Sequence, residues 1–269
     1  MHEQIPRRII QTAKSCDLPL LQRAAQVNLK LLNPGFEYQF FDDAAVRAFI
    51  DEKVPQYRLA FDSFRIPIQR ADFFRYLAVW ELGGFYFDTD VLFASALQPL
   101  LHQRCVFPFE ELTLNRHLRT RYAMDWEIGN YAFGAAPKHP FLEAIIKNCI
   151  RAQNDPDWVR PMAEGLPRLL RSGYRVLYTT GPALVSRTLA DNPLLTNDVT
   201  VLFPDDVCDA TQWNQFGEYA THLKLNSWYY GGNSVLRRLA AMSESRARRT
   251  LHRDSLKMGK RRSLICARS

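Results

Sequence analysis

Asp88 and Asp90 stand one residue apart directly after the aromatic triplet Phe85-Tyr86-Phe87, within the stretch RADFFRYLAVWELGGFYFDTDVLF that runs from Arg70 to Phe93. Three aromatic residues behind a glycine pair read as a short core strand. The aspartates then sit at its carboxyl end, the edge where open α/β sheets bind ligands. A regular strand carried through this point turns Asp88 and Asp90 the same way, with Thr89 opposite. Two carboxylates on one side form a hard-oxygen site suited to Mg²⁺ or Mn²⁺, with coordination positions left for phosphate oxygens. The plain alternative is a polar strand end that holds no ion, because an isolated D-x-D often arises by chance.

The elements that must position this pair lie on both sides of it. Ile68 to Leu82 contains neither Pro nor Gly, and Phe73, Tyr76, Leu77 and Trp80 recur at helical spacing, which predicts a helix with a buried face. Gly83-Gly84 closes it, since glycine accepts the left-handed conformation of a helix end. Asp72 and Arg75 lie three apart on this helix, share a face and can reach the same cleft. As a mere surface pair they would contribute about 0.3 kcal/mol.

Upstream, Ile5 to Gln11 reads as a first buried strand ending at Thr12-Ala13-Lys14-Ser15, where a nucleotide base or ribose can lie. Leu18 to Leu32 is a helix with Asp17 as candidate N-cap, Asn33-Pro34-Gly35 a turn, Phe36 to Phe41 a second strand, and Asp42-Asp43 the opening of a helix to about Glu52. This order is that of a sheet with crossover helices. Downstream, Val106 to Phe109 is a short strand, and Glu110 to Asp125, with Arg116, Arg119 and Arg121, reads as a solvated loop without function or as a mobile acceptor-side loop. Ile128 to Gly134 returns to the sheet and Pro140 to Gln153 is a helix. Val176-Leu177-Tyr178 reads as a strand ending in Thr179-Thr180-Gly181-Pro182, followed by a helix from about Ala183 to Leu189 whose N-terminus can face an anion. A strand from Val199 to Phe203 and the segment Tyr219 to Trp228 close the body.

Composition narrows the class. The chain has 269 residues, 47% of them hydrophobic, which suits one large soluble domain. No apolar stretch is long enough for a membrane-spanning helix, and Met1 to Arg8 lacks the apolar core of a signal peptide. The expectation is a cytoplasmic protein, at most peripheral to the inner face of a membrane. Cys16, Cys105, Cys149, Cys208 and Cys266 are odd in number and lack C-x-x-C spacing, which argues against a disulfide framework or a zinc site. Of the net charge of +7, residues 233–269 carry +9 and the rest −2. A nucleic-acid-binding body is therefore unsupported. We divide the chain into a domain at 1–232 and a basic tail at 233–269, the latter weakly amphipathic and able to rest on an anionic membrane surface or to remain a solvated tail.

The run R-x-D-x-x-R-Y, then G-G-x-Y-x-D-x-D, resembles the sugar-binding region of glycosyltransferase family 32 and is similar to the catalytic core of the large clostridial glucosylating toxins. Ile5-Pro6-Arg7-Arg8-Ile9-Ile10-Gln11-Thr12 resembles that family's opening I-P-K-I-I-H-Q-T, with no histidine before Gln11. The resemblance returns at Thr180-Gly181-Pro182 and at His222 to Trp228, and is specific over about a third of the chain. It implies a GT-A type fold, a Rossmann-like mixed sheet flanked by helices. It also implies a metal-dependent hexosyltransferase that moves a sugar from a nucleotide-sugar donor to a glycan, glycolipid or other hydroxyl acceptor with retention of configuration.

On that resemblance, Asp90 is the direct ligand of Mn²⁺ or Mg²⁺, with Asp88 and His222 completing the metal site. Asp88 also meets ribose and sugar hydroxyls, Asp72 and Arg75 hold the donor sugar, Asn130 bonds a sugar hydroxyl, and Thr12, Ser227 and Trp228 complete the donor site. No further carboxylate is marked as a nucleophile, which favours a front-face route. An open-cleft Asp90 should anchor no core. Two other readings stay open. A phosphatase of the haloacid dehalogenase type also places D-x-D after an apolar strand, with Asp88 as nucleophile, Val176 to Thr180 as a second motif and Val199 to Asp206 as an acidic fourth. A non-enzymatic polyanion-binding protein would act through the tail.

Overall fold

The computed structural model describes residues 4–166 and 175–225. In chain order the elements are β1 (Arg8–Thr12), α1 (Leu20–Leu32), β2 (Glu37–Phe41), α2 (Asp43–Lys53), α3 (Arg58–Ser63), α4 (Pro67–Leu82), β3 (Gly84–Phe87), β4 (Val91–Phe93) and β5 (Cys105–Leu112). There follow α5 (Arg116–Tyr122), β6 (Trp126–Ile128), β7 (Ala132–Ala135), α6 (Pro140–Asn154), α7 (Pro156–Gly165), α8 (Arg175–Thr179), α9 (Pro182–Asp191), β8 (Thr200–Leu202), β9 (Gln215–Phe216) and β10 (Ala220–His222).

The main sheet runs β2-β1-β3-β7-β5-β6, with β8 added to β5. β2, β1 and β3 are parallel, β7 is antiparallel to both β3 and β5, and a small antiparallel sheet β4-β10-β9 lies apart. This is the mixed, helix-flanked sheet expected of a GT-A type domain.

Side-chain alternation divides the core. Ile10 and Tyr86 face one layer with Phe73, Phe74, Leu77, Phe133, Phe141 and Ile145 from α4, β7 and α6. Ile9, Phe85 and Phe87 face the other, with Leu29 from α1 and Phe93, Phe216 and Ala220 from the small sheet. The strands need two apolar faces because helices cover one side, and α1 and the small sheet cover the other. Helix α4 is buried nearly all round: Phe73, Phe74, Tyr76, Leu77, Ala78 and Val79 are all at 0% exposure. Each large side chain buried this way contributes about 1.5–3 kcal/mol. Proline at the first position of α4 fits a helix start, where its missing N–H costs nothing.

Two segments depart from expectation. Val176 to Tyr178 belongs to helix α8 rather than to a strand; a short apolar run suits either element, and packing against α9 decides it. Glu110 to Asp125 is not a loop throughout, since β5 extends to Leu112 and Arg116, Arg119 and Arg121 lie on α5, capped by Asn115 accepting from the His117 amide. The first turn of α1 is entered through Pro19, with no side-chain cap from Asp17. The domain boundary expected at 232/233 lies outside the described residues.

Gly83 (φ 66°) and Gly84 (φ 102°) turn the chain from α4 straight into β3. A Cβ on Gly84 would stand 2.7 Å from the carbonyl oxygen of Arg8 and 2.8 Å from its Cβ, so β1 leaves no room for one. Gly84→Ala should therefore lose about 2 kcal/mol or more of stability through strain and clash, read as an earlier midpoint in urea unfolding. A loss below about 0.5 kcal/mol would contradict the close β1–β3 approach described here.

Candidate active site

A cleft of about 1000 Å³ opens at the carboxyl ends of β1 and β3. Thr12, Asp72, Arg75, Asp88, Asp90, Asn130 and His222 all line it, whereas Ser227 and Trp228 lie outside the described residues.

Asp88 follows Phe87 on the same side of the chain as Tyr86, so the Tyr86 hydroxyl donates to Asp88 Oδ1 at 2.7 Å. The Asp88 amide donates to Tyr131 O at 2.7 Å, and its carbonyl accepts from Gln11 Nε2 at 3.2 Å. The backbone of this aspartate is thus held by β1 and by the turn before β7. Arg75 reaches it from α4, with Nη1 3.3 Å from Asp88 Oδ1 and 2.8 Å from Asn130 O. Its guanidinium also lies 4.7 Å above the Tyr86 ring, a cation–π contact. Arg75 Nη2 is 3.2 Å from Asp72 Oδ1. The pair is buried, at 4% and 3% exposure, and not the weak surface pair that sequence spacing alone allows.

Asp72 is held from both sides. Its Oδ2 accepts from the Thr180 hydroxyl at 2.7 Å and its Oδ1 from Asn130 Nδ2 at 3.2 Å. Tyr76 closes the ring by donating to Thr180 O at 2.7 Å and accepting from Asn130 Nδ2 at 2.9 Å. Burial pushes the Asp72 carboxyl up to about 6 against the opposing pull of Arg75 and Thr180. Burial likewise raises Asp88, with Arg75 opposing. Burial works against the charge on Arg75, yet Asp88, Tyr86 and Asp72 hold it firmly protonated.

Asp90 is reached by a different route from the one alternation suggests. Strand β3 ends at Phe87, and residues 88–91 form a turn in which the Val91 amide meets Asp88 O at 3.3 Å. The turn, rather than the pleat, brings the two carboxylates together. Pairing of β10 with β4 sets His222 opposite Val91, with Nε2 3.2 Å from Asp90 Oδ1. The Leu223 amide donates to Asp90 O and the Leu225 amide to Asp90 Oδ2, both at 2.9 Å. Asp90, expected to anchor no core, therefore pins the segment after β10 through these two amides. Burial would raise its pKa, but the His222 contact and the Leu225 amide leave it below the ordinary carboxylate value.

Asp88, Asp90 and His222 offer ligand atoms that all lie within 4.8 Å of one another. Adjacent ligands around a six-coordinate ion with bonds of about 2.1 Å stand about 3 Å apart, close to the His222–Asp90 separation of 3.2 Å. Two carboxylates and one imidazole therefore fit a divalent ion, with His222 Nε2 as the nitrogen on the Asp90 side.

Sequence reading missed several lining residues. Tyr86 read only as core. Glu110, Glu111 and Glu127 from β5 and β6, together with Tyr131 and Lys224, also line the cleft. The polar end of the apolar run Val106 to Phe109 was the available signal for Glu110. Thr12 faces the cleft but its hydroxyl donates to Phe41 O at 2.7 Å, leaving only lone pairs for a ligand. With Val176 to Thr179 helical, the second strand motif that a haloacid dehalogenase phosphatase requires is missing.

Residues 19–107 match the family model described as glycosyltransferase sugar-binding region containing DXD motif, which bears out the resemblance read from the sequence. The chain is 31% identical over 186 residues to inositol phosphoceramide mannosyltransferase 3 of Schizosaccharomyces pombe, covering 68% of this chain and 44% of that protein. It is 27% identical over 239 residues to inositol phosphoceramide mannosyltransferase 2 of the same organism, covering 86% and 60%. The chain thus spans about half the length of these curated relatives. Among solved structures, the PaToxG glycosyltransferase overlaps 72% of this chain and 73% of its own with a TM-score of 0.45 at 12% identity.

The Asp72 environment has a pH signature. Its folded pKa of about 6 exceeds the ordinary value of 3.8, so its contribution to stability is fully present below about pH 4 and lost as pH rises through about 6. Wild-type protein should lose about 2–3 kcal/mol more between pH 4 and pH 7 than Asp72→Asn, measured by urea unfolding in a chelator. Parallel pH profiles for the two proteins would show that Asp72 is not perturbed.

Proposed function

We propose, for a chain whose residues 19–107 carry the glycosyltransferase sugar-binding region, that it transfers a hexose from a nucleotide-diphosphate sugar to a hydroxyl of a glycan or glycolipid. The observation that carries this reading is the convergence of Asp88, Asp90 and His222 ligand atoms within 4.8 Å, with the buried Arg75 joined to Asp88. The transfer depends on Mn²⁺ or Mg²⁺ and retains anomeric configuration, as the family resemblance implies. Relatives named as inositol phosphoceramide mannosyltransferases make mannose the favoured sugar and a phosphoinositol lipid the favoured acceptor.

Each residue then has a task that its chemistry suits. Asp90, Asp88 and His222 hold the ion, which when bound supplies Lewis-acid neutralisation of the departing diphosphate. Arg75 adds fixed positive charge beside it, preorganised because its partners already hold it in place. Asp72, Arg75 and Asn130 present acceptors and donors to sugar hydroxyls, and the lone pairs of Thr12 face the ribose. As the resemblance implies, Ser227 completes the leaving-group side and Trp228 covers it.

Asp90→Asn tests the metal role cleanly, because the amide oxygen can still accept from Leu225 N while the charge is gone. Titration of Mn²⁺ against a fluorescent GDP-mannose, with UDP-glucose in parallel, should give metal-dependent binding in wild type and little in the variant. Transfer should fall by about a hundredfold or more. Donor binding that persists through both chelation and Asp90→Asn would reject metal-dependent transfer.

The basic tail at 233–269 lies outside the described residues, and we assign it to an anionic membrane surface. No helix among the described residues is long and apolar enough to cross a membrane. Removal of Arg246 onward should abolish salt-sensitive binding to phosphatidylserine vesicles and spare donor hydrolysis. Loss of hydrolysis on truncation would make the tail part of the transferase domain instead.

A further inference from the structure

Glu110 is a cleft carboxylate to which the reading above gives no task. Where β5 pairs with β6, Phe109 stands opposite Ile128 and Glu111 opposite Glu127, so Glu110 is the extra residue of a β-bulge. A bulge redirects a side chain that the regular pleat would send elsewhere, and here the residue lines the cleft with its side chain 13% exposed. Its Oε1 lies 3.3 Å from Lys224 Nζ. Its Oε2 is buried and has no hydrogen-bond partner among the described residues.

The space that Oε2 occupies exists because residue 129 is glycine. A Cβ there would stand 2.6 Å from Glu110 Oε2 and 2.8 Å from the edge of the Tyr131 ring. Tyr131 is 2% exposed, lines the same cleft and stacks on His222 with ring centroids 4.4 Å apart. Its hydroxyl is a second buried polar atom with no partner among the described residues. An acceptor-only carboxylate oxygen and the ring of a tyrosine whose phenol can donate or accept therefore flank Gly129.

The chemistry of this pair selects its ligand. A carboxylate repels a diphosphate, so the nucleotide does not lie against Glu110. Among the described residues the ligand atoms that converge for an ion are those of Asp88, Asp90 and His222, and Glu110 is not one of them. Neutral hydroxyls suit both atoms, since a hydroxyl can donate to Oε2 and another can accept from or donate to the phenol. Buried polar groups left unpaired discriminate strongly for a ligand that pairs them.

We propose that Glu110 and Tyr131 form the acceptor subsite, in which Glu110 Oε2 takes the hydrogen bond of a hydroxyl on the polyol ring that receives the sugar. This rests on the glycosyltransferase reading and adds to it the residues that hold the acceptor.

The test is steady-state transfer from GDP-mannose to an inositol phosphoceramide in detergent micelles, with each substrate varied in turn. Glu110→Ala should raise the acceptor KM at least about tenfold, shift the donor KM far less and lower the ratio of transfer to donor hydrolysis. Glu110→Gln, which keeps one acceptor oxygen, should lose less. Lys224→Met removes the ion pair and keeps the carboxylate, and so separates loss of the tether from loss of the acceptor hydrogen bond. Circular dichroism and urea midpoints show whether each variant folds. The inference fails if Lys224→Met reproduces the Glu110→Ala defect, which would make Glu110 a tether for the segment after β10. A donor KM rising in step with the acceptor KM would also overturn it. A wild-type protein that binds neither GDP-mannose nor UDP-glucose would instead sink the glycosyltransferase reading, and this inference with it.

Discussion

Taking a guanidinium out of water costs several kcal/mol unless its charge and N–H groups are met, and Arg75 at 4% exposure draws several elements onto its two terminal nitrogens, while its Nε has no partner among the described residues. Asp72 lies on its own helix, Asp88 just past β3, Tyr86 within β3 and the Asn130 carbonyl in the turn before β7. Asp72 extends the network to Thr180 at the start of α9, and Tyr76 and Asn130 close it. Displacing any one member leaves a buried charge or polar atom uncompensated, so the group behaves as a unit. The α4 side of the cleft is held in place for this reason, and on the proposed reading that preorganisation suits electrostatic stabilisation of a leaving group, because no reorganisation is then required during the reaction.

The other side of the metal-fitting cluster is built differently. His222 is supplied by β10, a three-residue strand paired with β4 and β9. The segment after it is tied down by the Leu223 and Leu225 amides on Asp90 and by Lys224 on Glu110. Asp90 therefore stands at a junction, one oxygen beside His222 and the other holding the following chain in place. Its position couples the geometry of the metal-fitting cluster to the placement of the segment from Leu223 to Leu225.

Much of this was readable from the sequence where the cause is local. Helix α4 announces itself by length, apolar content and Gly83-Gly84, and D-x-D after Phe85-Tyr86-Phe87 marks the ligand edge of the sheet. Asp72 and Arg75 were readable as neighbours, but their burial was not, since it depends on Thr180 and Asn130 far along the chain. The direction of Asp90 was obscured because the chain leaves the strand at Phe87, one residue before the pair. Val176 to Thr179 misled because an apolar run of that length packs as helix or strand according to what lies beside it, and here that is α9.

Glu110 shows a further limit with a physical origin. In sequence it ends an apolar run at the start of a charged stretch, which reads as the onset of a solvated loop. Its direction comes from a register shift against β6, and the room for its carboxylate comes from the missing side chain at Gly129. Neither is visible until two strands are paired. The same pairing brings Glu110 to the cleft lining, where its Oε2 is a buried oxygen with no partner among the described residues. On the proposed reading, the charge gathered around Arg75 takes the anionic donor, and the unmet hydrogen bonds of Glu110 and Tyr131 take the hydroxyl-bearing acceptor.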